Sequence, residues 1–591
     1  MSVSPELVQL LAWTMGLYVL VMFGISTLAQ KKVTGVEDFV VAGRRLSMPL
    51  ATATLLATWF GAGTLMTASD EVRQRGLQAT ALDPLGAGLC LLIVGFFFAK
   101  PLWKEKLITL PELFGRRYGR GSEILAAVLI IPPYLGWIAA QFIALAGILH
   151  LYFGMSPEVG VLLVAGVGIG YTLLGGMWAV TLTDAAQMVL IIIGLFVMLF
   201  TVLGNMGDGS AMAGFDVLWA KSSVERRTLM PTEDMAQLTT WLGILCAGAL
   251  GNIPSQDVMQ RVFSARSAAA AKGACILAGV LYLVLGGVPV LLGMAGGILF
   301  TPEQQGGTIA LLAGMFLSPA MAVLLVLTLM SVVLSTIDSA LLAPGTILAR
   351  DLLARIPRFR GKELGLVRFS VVAIGLVSLA LTWAGESAYN LLASGYELGM
   401  VSLMAPLTFA VYGKRGGTKA VWASMLIGTI GWGLHMAFGA ETFLGIEGFW
   451  LPMGLGCTAL SFIAFPALYR GLLYDPDARD AARSLLPLDG MAELRTIARE
   501  AAVVGLDAHH RGDTLRDYAG ELVRIAADGL ARLAELEGTP DDGVFLDVLT
   551  DDAGVAVAPG EVFAEAWEET SGDRAAIIDR FGMAAGLAQL G

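Results

Sequence analysis

The sequence predicts an all-α polytopic membrane protein of about 13 transmembrane helices, followed by a small, mainly helical C-terminal domain on the cytoplasmic side. Composition is the first sign. Of 591 residues 56% are hydrophobic and only 15% charged, with a mean hydropathy of +0.73, whereas ordinary soluble domains carry about 25% charged residues. A soluble globule cannot hide that much apolar surface. The second sign is arrangement: the apolar residues come in runs of roughly 20, the length a helix needs to cross a bilayer, and not at helical or strand periods. The third is a change of physics near Tyr474. From Asp475 onward 24 acidic residues face 10 arginines, a net −14, while the chain before that point stands near +3. The chain therefore divides into a membrane part over 1–472 and an acidic cytoplasmic part over 473–591.

Taken in order, the expected spans cover 7–29, 49–69, 78–100, 122–150, 157–175, 182–204, 239–260, 272–298, 318–345, 365–385, 388–412, 418–439 and 446–470. They read as helices because the ten-residue alternation of a membrane barrel does not recur. The first run, Leu7 to Ala29, is too long for a signal-peptide core, lacks a basic segment before it and is followed by Lys31 and Lys32 in place of a cleavage site. It is expected to stay as a membrane helix. One alternate set of loops holds 22 Lys and Arg, among them Arg44, Arg45, Lys104, Lys106, Arg116, Arg261, Arg266, Arg350 and Lys414. The other set holds five, Arg73, Arg75, Lys221, Arg226 and Arg227. The basic set belongs in the cytoplasm, which puts the N-terminus outside and the acidic tail inside the cell's inner (plasma) membrane.

Polar and small residues inside lipid-facing runs are costly and mark functional candidates. The second span contains Ala57-Thr58-Trp59-Phe60-Gly61-Ala62-Gly63-Thr64, a poor helix in mid-membrane. The seventh contains Gly248-Ala249-Leu250-Gly251-Asn252-Ile253-Pro254, where the proline removes a backbone donor. These two spans open two consecutive blocks of five helices. Paired broken helices at matching places in two halves point to an inverted-repeat transporter with its site at the breaks. The other use of such glycines is close helix packing. The ninth span carries Ser335-Thr336-Ile337-Asp338-Ser339, whose hydroxyls and carboxylate share one helical side and offer hard oxygen ligands to a small cation. Asp184, at the start of the sixth span, offers a second carboxylate. A serine or threonine in such a helix also bonds back to its own preceding turn. Asp338 calls for a cation or a nearby arginine.

At these residues the chain resembles the sodium:solute symporter family. The similar stretches are Asp38 to Arg45 (DFVVAGRR), Tyr171 to Ala179 (YTLLGGMWA) with Thr183 to Gln187, Gln256 to Ala265 (QDVMQRVFSA) and Leu334 to Asp351. The likeness covers essentially all of 1–470. It implies a LeuT-type fold, a five-plus-five inverted repeat spanning about 49–412, and sodium-coupled symport of a small organic solute: an amino acid, an amine or quaternary ammonium, or a carboxylate. It also implies a sodium site made of the carbonyls of Ala57, Phe60 and Val332 with the hydroxyls of Ser335 and Thr336. A second sodium would fall on Asp184, Ser335, Asp338 and Ser339, with Asp338 standing where other members have a hydroxyl. Ala57 to Gly63, Phe97 to Pro101 and Asn252 to Arg261 look nearest the choline-transporter branch, proline transporters being the other near branch. There Trp59 and Trp137 match aromatics that cage a quaternary ammonium by cation–π attraction, while Ser255 replaces a further tryptophan. Trp59, Gly63, Trp137 and Ser255 are thus the implied solute contacts. Glu397 and His435 are titratable groups within spans, with structural hydrogen bonding as their alternative use.

The acidic tail has apolar residues at helical spacing over Glu493 to Gly505 and Asp513 to Glu537, and Asp517 to Ala534, followed by Phe545-Leu546-Asp547 and Val557 to Trp567, resembles the extreme C-terminal end of plant-type glutamate-cysteine ligases. The ATP-binding portion of such enzymes is missing, so the tail reads as a regulatory domain or one that docks a protein partner. The rival function is a transporter-like solute sensor signalling through that tail; robust uptake by a truncated chain would argue for transport. Enzymatic function is not expected, since HExxH and GxSxG are absent. A P-loop and a basic stripe for nucleic acid are likewise missing. Cys90, Cys246, Cys275 and Cys457 lie inside apolar runs without metal spacing and read as packing residues.

Overall fold

A computed structural model describes residues 5–301, 304, 306–354, 356–359, 362–384, 388–413, 418–439, 442–443 and 451–471. The acidic tail and its expected helices lie outside the described residues. Within them the chain is helical, with two isolated β-bridges and no strand. The helices of the first half are α1 (Pro5–Gln30), α2 (Val36–Val41), α3 (Met48–Trp59), α4 (Ala68–Arg75), α5 (Ala87–Ile93), α6 (Ala99–Lys104), α7 (Pro111–Tyr118), α8 (Arg120–Phe153) and α9 (Pro157–Met206). After two short connecting helices, α10 (Ala211–Lys221) and α11 (Val224–Arg227), come α12 (Met235–Gly251), α13 (Gln256–Ser264), α14 (Ala268–Leu299), α15 (Thr308–Phe316) and α16 (Pro319–Ile347). The described chain closes with α17 (Glu363–Leu381), α18 (Ala388–Tyr412), α19 (Thr418–Phe438) and α20 (Met453–Gly471).

Within the described residues each expected span overlaps a helix, with non-helical residues at 60–61 and 252–255 inside two of them. Among the described residues eight helices are long and apolar enough to cross a bilayer, or nine when α12 and α13 count as one bent span. The other expected spans coincide with helices that fall short of that length or hydropathy. Two expected spans are fused in α9, whose 50 residues would make a rod of about 75 Å, far beyond a hydrocarbon layer of about 30 Å. Gly176, at φ +52° and ψ −144°, breaks it between the two. Such a φ favours glycine.

Burial follows the periodicity that lipid imposes. Trp13, Leu17 and Leu20 of α1 point outward, while Leu11, Tyr18, Met22 and Ser26 face the bundle. At the centre lies α16, buried from Leu329 to Ile347 and packed against α9, α8, α17 and α3. The loops gather in two sets. Arg44 donates to the carbonyls of Lys106 and Leu107, and Trp103 to that of Ala265. At the opposite end Arg73 donates to the carbonyls of Thr301, Gln304 and Gly306, and Thr308 N–H to Asp70. These groupings match the alternate loop sets in the sequence, with one exception. Arg261 is 1% exposed and works inside the bundle, so it is not a loop cation; the excess on its side survives its removal.

Candidate functional site

Both expected breaks exist. The helix α3 ends at Trp59, residues 60–61 are non-helical, and a π-helical turn at Gly63–Thr67 leads into α4. The second break is a turn over 252–255 that bends α12 against α13 by 42°. Here the packing use of glycine also applies. A side chain at Gly248 would strike the Leu82 carbonyl, and one at Gly251 the backbone of Tyr396. The glycines of α12 therefore let backbones touch, and the interruption belongs to the turn ending at Ser255.

The first break faces the hydroxyls of α16. Ser335 Oγ lies 2.9 Å from the Ala57 carbonyl and also within reach of the Ser331 and Val332 carbonyls, at 2.7 and 3.1 Å. Thr336 Oγ1 lies 3.0 Å from the Thr58 carbonyl and 3.1 Å from that of Val332. All of these groups are buried. Gly61 sits so close that a Cβ there would be 2.8 Å from Thr336 Oγ1, and the adjacent Ala62 N–H donates to Gln141 Oε1 at 3.0 Å. The hydroxyls thus do bond back to their own helix, as the alternative reading held, but they also reach across to a second one. Four of the five implied sodium ligands meet directly; Phe60, with its side chain buried, forms the corner itself.

A second polar cluster lies beside it. Asp338 accepts from Tyr171 and from Ser339, the latter at 3.0 Å; Ser339 in turn touches Thr58 Oγ1 at 2.9 Å and accepts from Arg261. Asp184 accepts from Thr54 through Oδ2, while its buried Oδ1 has no hydrogen-bond partner. Asp338 was expected to have either a cation or an arginine near it, and the arginine is Arg261, reached through Ser339. Ser335 turns its hydroxyl to the first cluster.

The third feature is a cleft between α8, the α12–α13 turn and α18, lined by Trp137, Tyr134, Asn252, Ser255, Asp257 and Tyr396 among others. Trp59 stands behind this wall, its indole N–H donating to Asp257 Oδ2 at 2.8 Å, and Tyr134 donates to Oδ1. The other face of Trp59 meets Tyr282 edge-on at 6.3 Å, and Tyr282 donates to Asp83 Oδ1 at 2.9 Å. Trp137 packs on Tyr134 at 5.9 Å. Of the implied solute contacts, Trp137 and Ser255 line the cleft, Trp59 adjoins it through Asp257, and Gly63, the first residue of the π-turn, is not part of its lining. Glu397 accepts from Trp432 at 2.9 Å, and His435 bonds the Gly431 carbonyl and stacks on Phe443 at 5.6 Å, so both have structural partners.

Gln141, Asp83, Asp257 and Arg261 were missed as site residues. Ionisable side chains within apolar spans are themselves a signal, and Asp257 and Arg261, four apart after a helix-breaking proline, carried it. No group of three or more His, Cys, Asp or Glu among the described residues could hold a metal ion, so the candidate ion sites rest on hydroxyls, carbonyls and single carboxylates.

Comparison with known proteins agrees with this architecture. A family model described as the sodium:solute symporter family matches residues 39–428. The high affinity choline transporter 1 of Homo sapiens is 26% identical over 411 residues, covering 66% of this chain and 70% of that protein. The high-affinity proline transporter of Bacillus subtilis (strain 168) is 24% identical over 434 residues, covering 69% of this chain and 88% of that one. Among solved structures, a sodium-coupled sialic acid symporter, in a substrate-bound outward-open state, aligns over 78% of this chain and 97% of its own at a TM-score of 0.66 and 18% identity. That likeness shows a shared fold.

Proposed function

The chain belongs to the sodium:solute symporter family, and on that premise we propose which of its residues hold the ion and the solute. It is a multi-pass membrane transporter that moves a small organic solute together with sodium, and not an enzyme. The ion site in this reading is the corner between the first break and α16: the carbonyls of Ala57, Phe60 and Val332 and the hydroxyls of Ser335 and Thr336. The observation that carries it is the 2.9 Å approach of Ser335 Oγ to the Ala57 carbonyl across two different spans. A hydroxyl has two acceptor lone pairs besides its proton, so rotating the proton aside turns a carbonyl–hydroxyl contact into two oxygens aimed at one cation. Uncharged hard oxygens suit a weakly charged alkali ion.

A second cation at Asp184, Ser335, Asp338 and Ser339 is supported by the unpartnered Asp184 Oδ1. Arg261 limits it. Two carboxylates and one guanidinium leave a single negative charge, the complement of one monovalent ion. The solute occupies the cleft at the second break, with Trp137 and Ser255 on its wall and Trp59 behind it. Relatives named for choline and for proline make amino acids, amines or quaternary ammonium compounds, and carboxylates the classes to try. Sodium bridging α3 and α16 favours the arrangement in which the two breaks enclose the solute. Coupling is the free energy by which each ligand improves binding of the other, and an inside-negative potential adds about 2.3 kcal/mol per charge per 100 mV. The basic loops face the cytoplasm in this reading, the N-terminus lies outside, and the acidic tail over 473–591 forms a separate cytoplasmic domain that regulates or docks.

The test is uptake of labelled choline, proline and other members of these classes into proteoliposomes. Accumulation that needs an inward sodium gradient and rises with an inside-negative potential is expected; equal uptake with potassium in place of sodium would reject the reading.

A further inference from the structure

The cleft carries one formal charge, and it is negative. Asp257 is the only acid or base among the cleft's lining residues other than tyrosine, and it is 2% exposed. Its carboxylate accepts from two neutral donors, Trp59 and Tyr134. Arg261, four residues on, gives one nitrogen to the Asp257 main-chain carbonyl and another to Ser339, and makes no hydrogen bond to that carboxylate among the described contacts. No ion pair to Asp257 exists among the described residues. A second buried carboxylate, Asp83, lies behind Trp59 and is likewise held by uncharged donors, Thr64 and Tyr282. Burying a charge without a partner of opposite sign is expensive, so this wall awaits a cation.

Resting on the symport reading above, we propose that the co-transported solute is a small protonated amine with at least one N–H, and that Asp257 selects it. Four lone-pair positions are available on a carboxylate. Trp59 and Tyr134 take one on each oxygen, leaving one on each for a donor in the cleft. An ammonium N–H fills that place with a charge-assisted hydrogen bond, about twice as strong as a neutral one. A quaternary ammonium has no proton to give and keeps only the aromatic attraction of Trp137 and Tyr134. Anionic solutes meet Asp257 with like charge. An independent sign that the cleft receives a polar guest is the state of another lining atom: Ser255 Oγ is buried and lacks a hydrogen-bond partner. Lipid would not satisfy it.

Matched probes of nearly equal shape separate these cases in thermal-shift titrations of the full-length protein: 2-(dimethylamino)ethanol, choline, the uncharged 3,3-dimethylbutanol, and the anion 3,3-dimethylbutanoate. In sodium, the amine is expected to stabilise at a concentration at least tenfold below that of choline, with the neutral and anionic probes ineffective. Asp257→Asn should raise the amine's half-effect concentration tenfold or more and abolish its advantage over choline, while leaving the stabilisation by sodium alone unchanged. Asp257→Glu, which keeps the charge, should retain the preference for the amine. The proposal is overturned if choline or a probe without a cation binds as well as the amine, if no N–H ammonium binds, or if Asp257→Asn leaves the amine titration unmoved. Loss of any sodium effect in the unaltered protein would instead reject the symport reading itself.

Discussion

Removing the Ser335 hydroxyl should weaken sodium binding about tenfold, and the structure sets that size. In the substitution Ser335→Ala the ion loses one oxygen ligand, a contact of the kind worth about 1.5–3 kcal/mol when one partner is charged. The ion-free protein also loses something, because Ser335 Oγ links α16 to the Ala57 carbonyl at 2.9 Å, a neutral hydrogen bond worth about 0.5–1.5 kcal/mol. Only the difference appears in the affinity. That difference, about 1–1.5 kcal/mol, corresponds to roughly a 5- to 12-fold rise in the sodium concentration needed for half-maximal effect, since 1.4 kcal/mol is tenfold. The assay is sodium-induced thermal stabilisation of the detergent-purified protein against a potassium background, which needs no solute, followed by sodium-dependent uptake. The alanine fits sterically and leaves the Ser331 and Val332 carbonyls in their own helix, so folding should survive. A half-effect concentration unchanged in both assays would refute the assignment of Ser335 as an ion ligand.

Three further outcomes are expected. Gly61→Ala would place a methyl 2.8 Å from Thr336 Oγ1 and should push that hydroxyl off the break, raising the sodium requirement without loss of protein yield; an unaltered sodium titration would show that the corner has slack. Trp59→Ala removes the indole donor of Asp257 and should weaken solute binding more than sodium binding; equal loss of both would assign Trp59 to packing. Arg261→Met leaves Asp338 and Asp184 without their buried guanidinium and should destabilise the protein by about 3–5 kcal/mol, the usual result of deleting one member of a buried charge group. Adding Asp338→Asn should recover part of that loss, and additive melting temperatures in the double variant would show that the two residues do not interact.

The exposed faces explain why the bundle needs lipid around it. Ile192, Ile193, Phe200 and Leu376 point away from the protein with large apolar surface. In water such faces would associate. In a bilayer they cost nothing, and the polar residues are drawn inward instead, which is why Ser335, Thr336, Asp338 and Ser339 crowd the centre of the most enclosed of the long spans.

Much of this was legible in the chain before any coordinates. Lipid cannot hydrogen-bond a backbone, so each crossing must be a helix built from one continuous run of residues, and such a run is visible locally. The same holds for the interruptions at Phe60–Gly61 and before Gln256, and for the hydroxyls of α16, whose common side follows from helical spacing. The sequence by itself therefore determined the membrane class, the places of the helices, the two breaks and the hydroxyl-rich face. Only the tertiary structure decided which groups meet. Ser335 and the Ala57 carbonyl are 278 residues apart, and Trp59 and Asp257 are 198 apart. Arg261 read as a loop cation because its neighbours along the chain are polar and basic, yet the fold turns it inward to Ser339. Asp257, on the same helix four residues earlier, passed as part of a motif until the packing of α8 and α18 made a cleft in front of it. Spacing along a helix fixes a direction; what stands in that direction depends on neighbours that come from elsewhere in the chain.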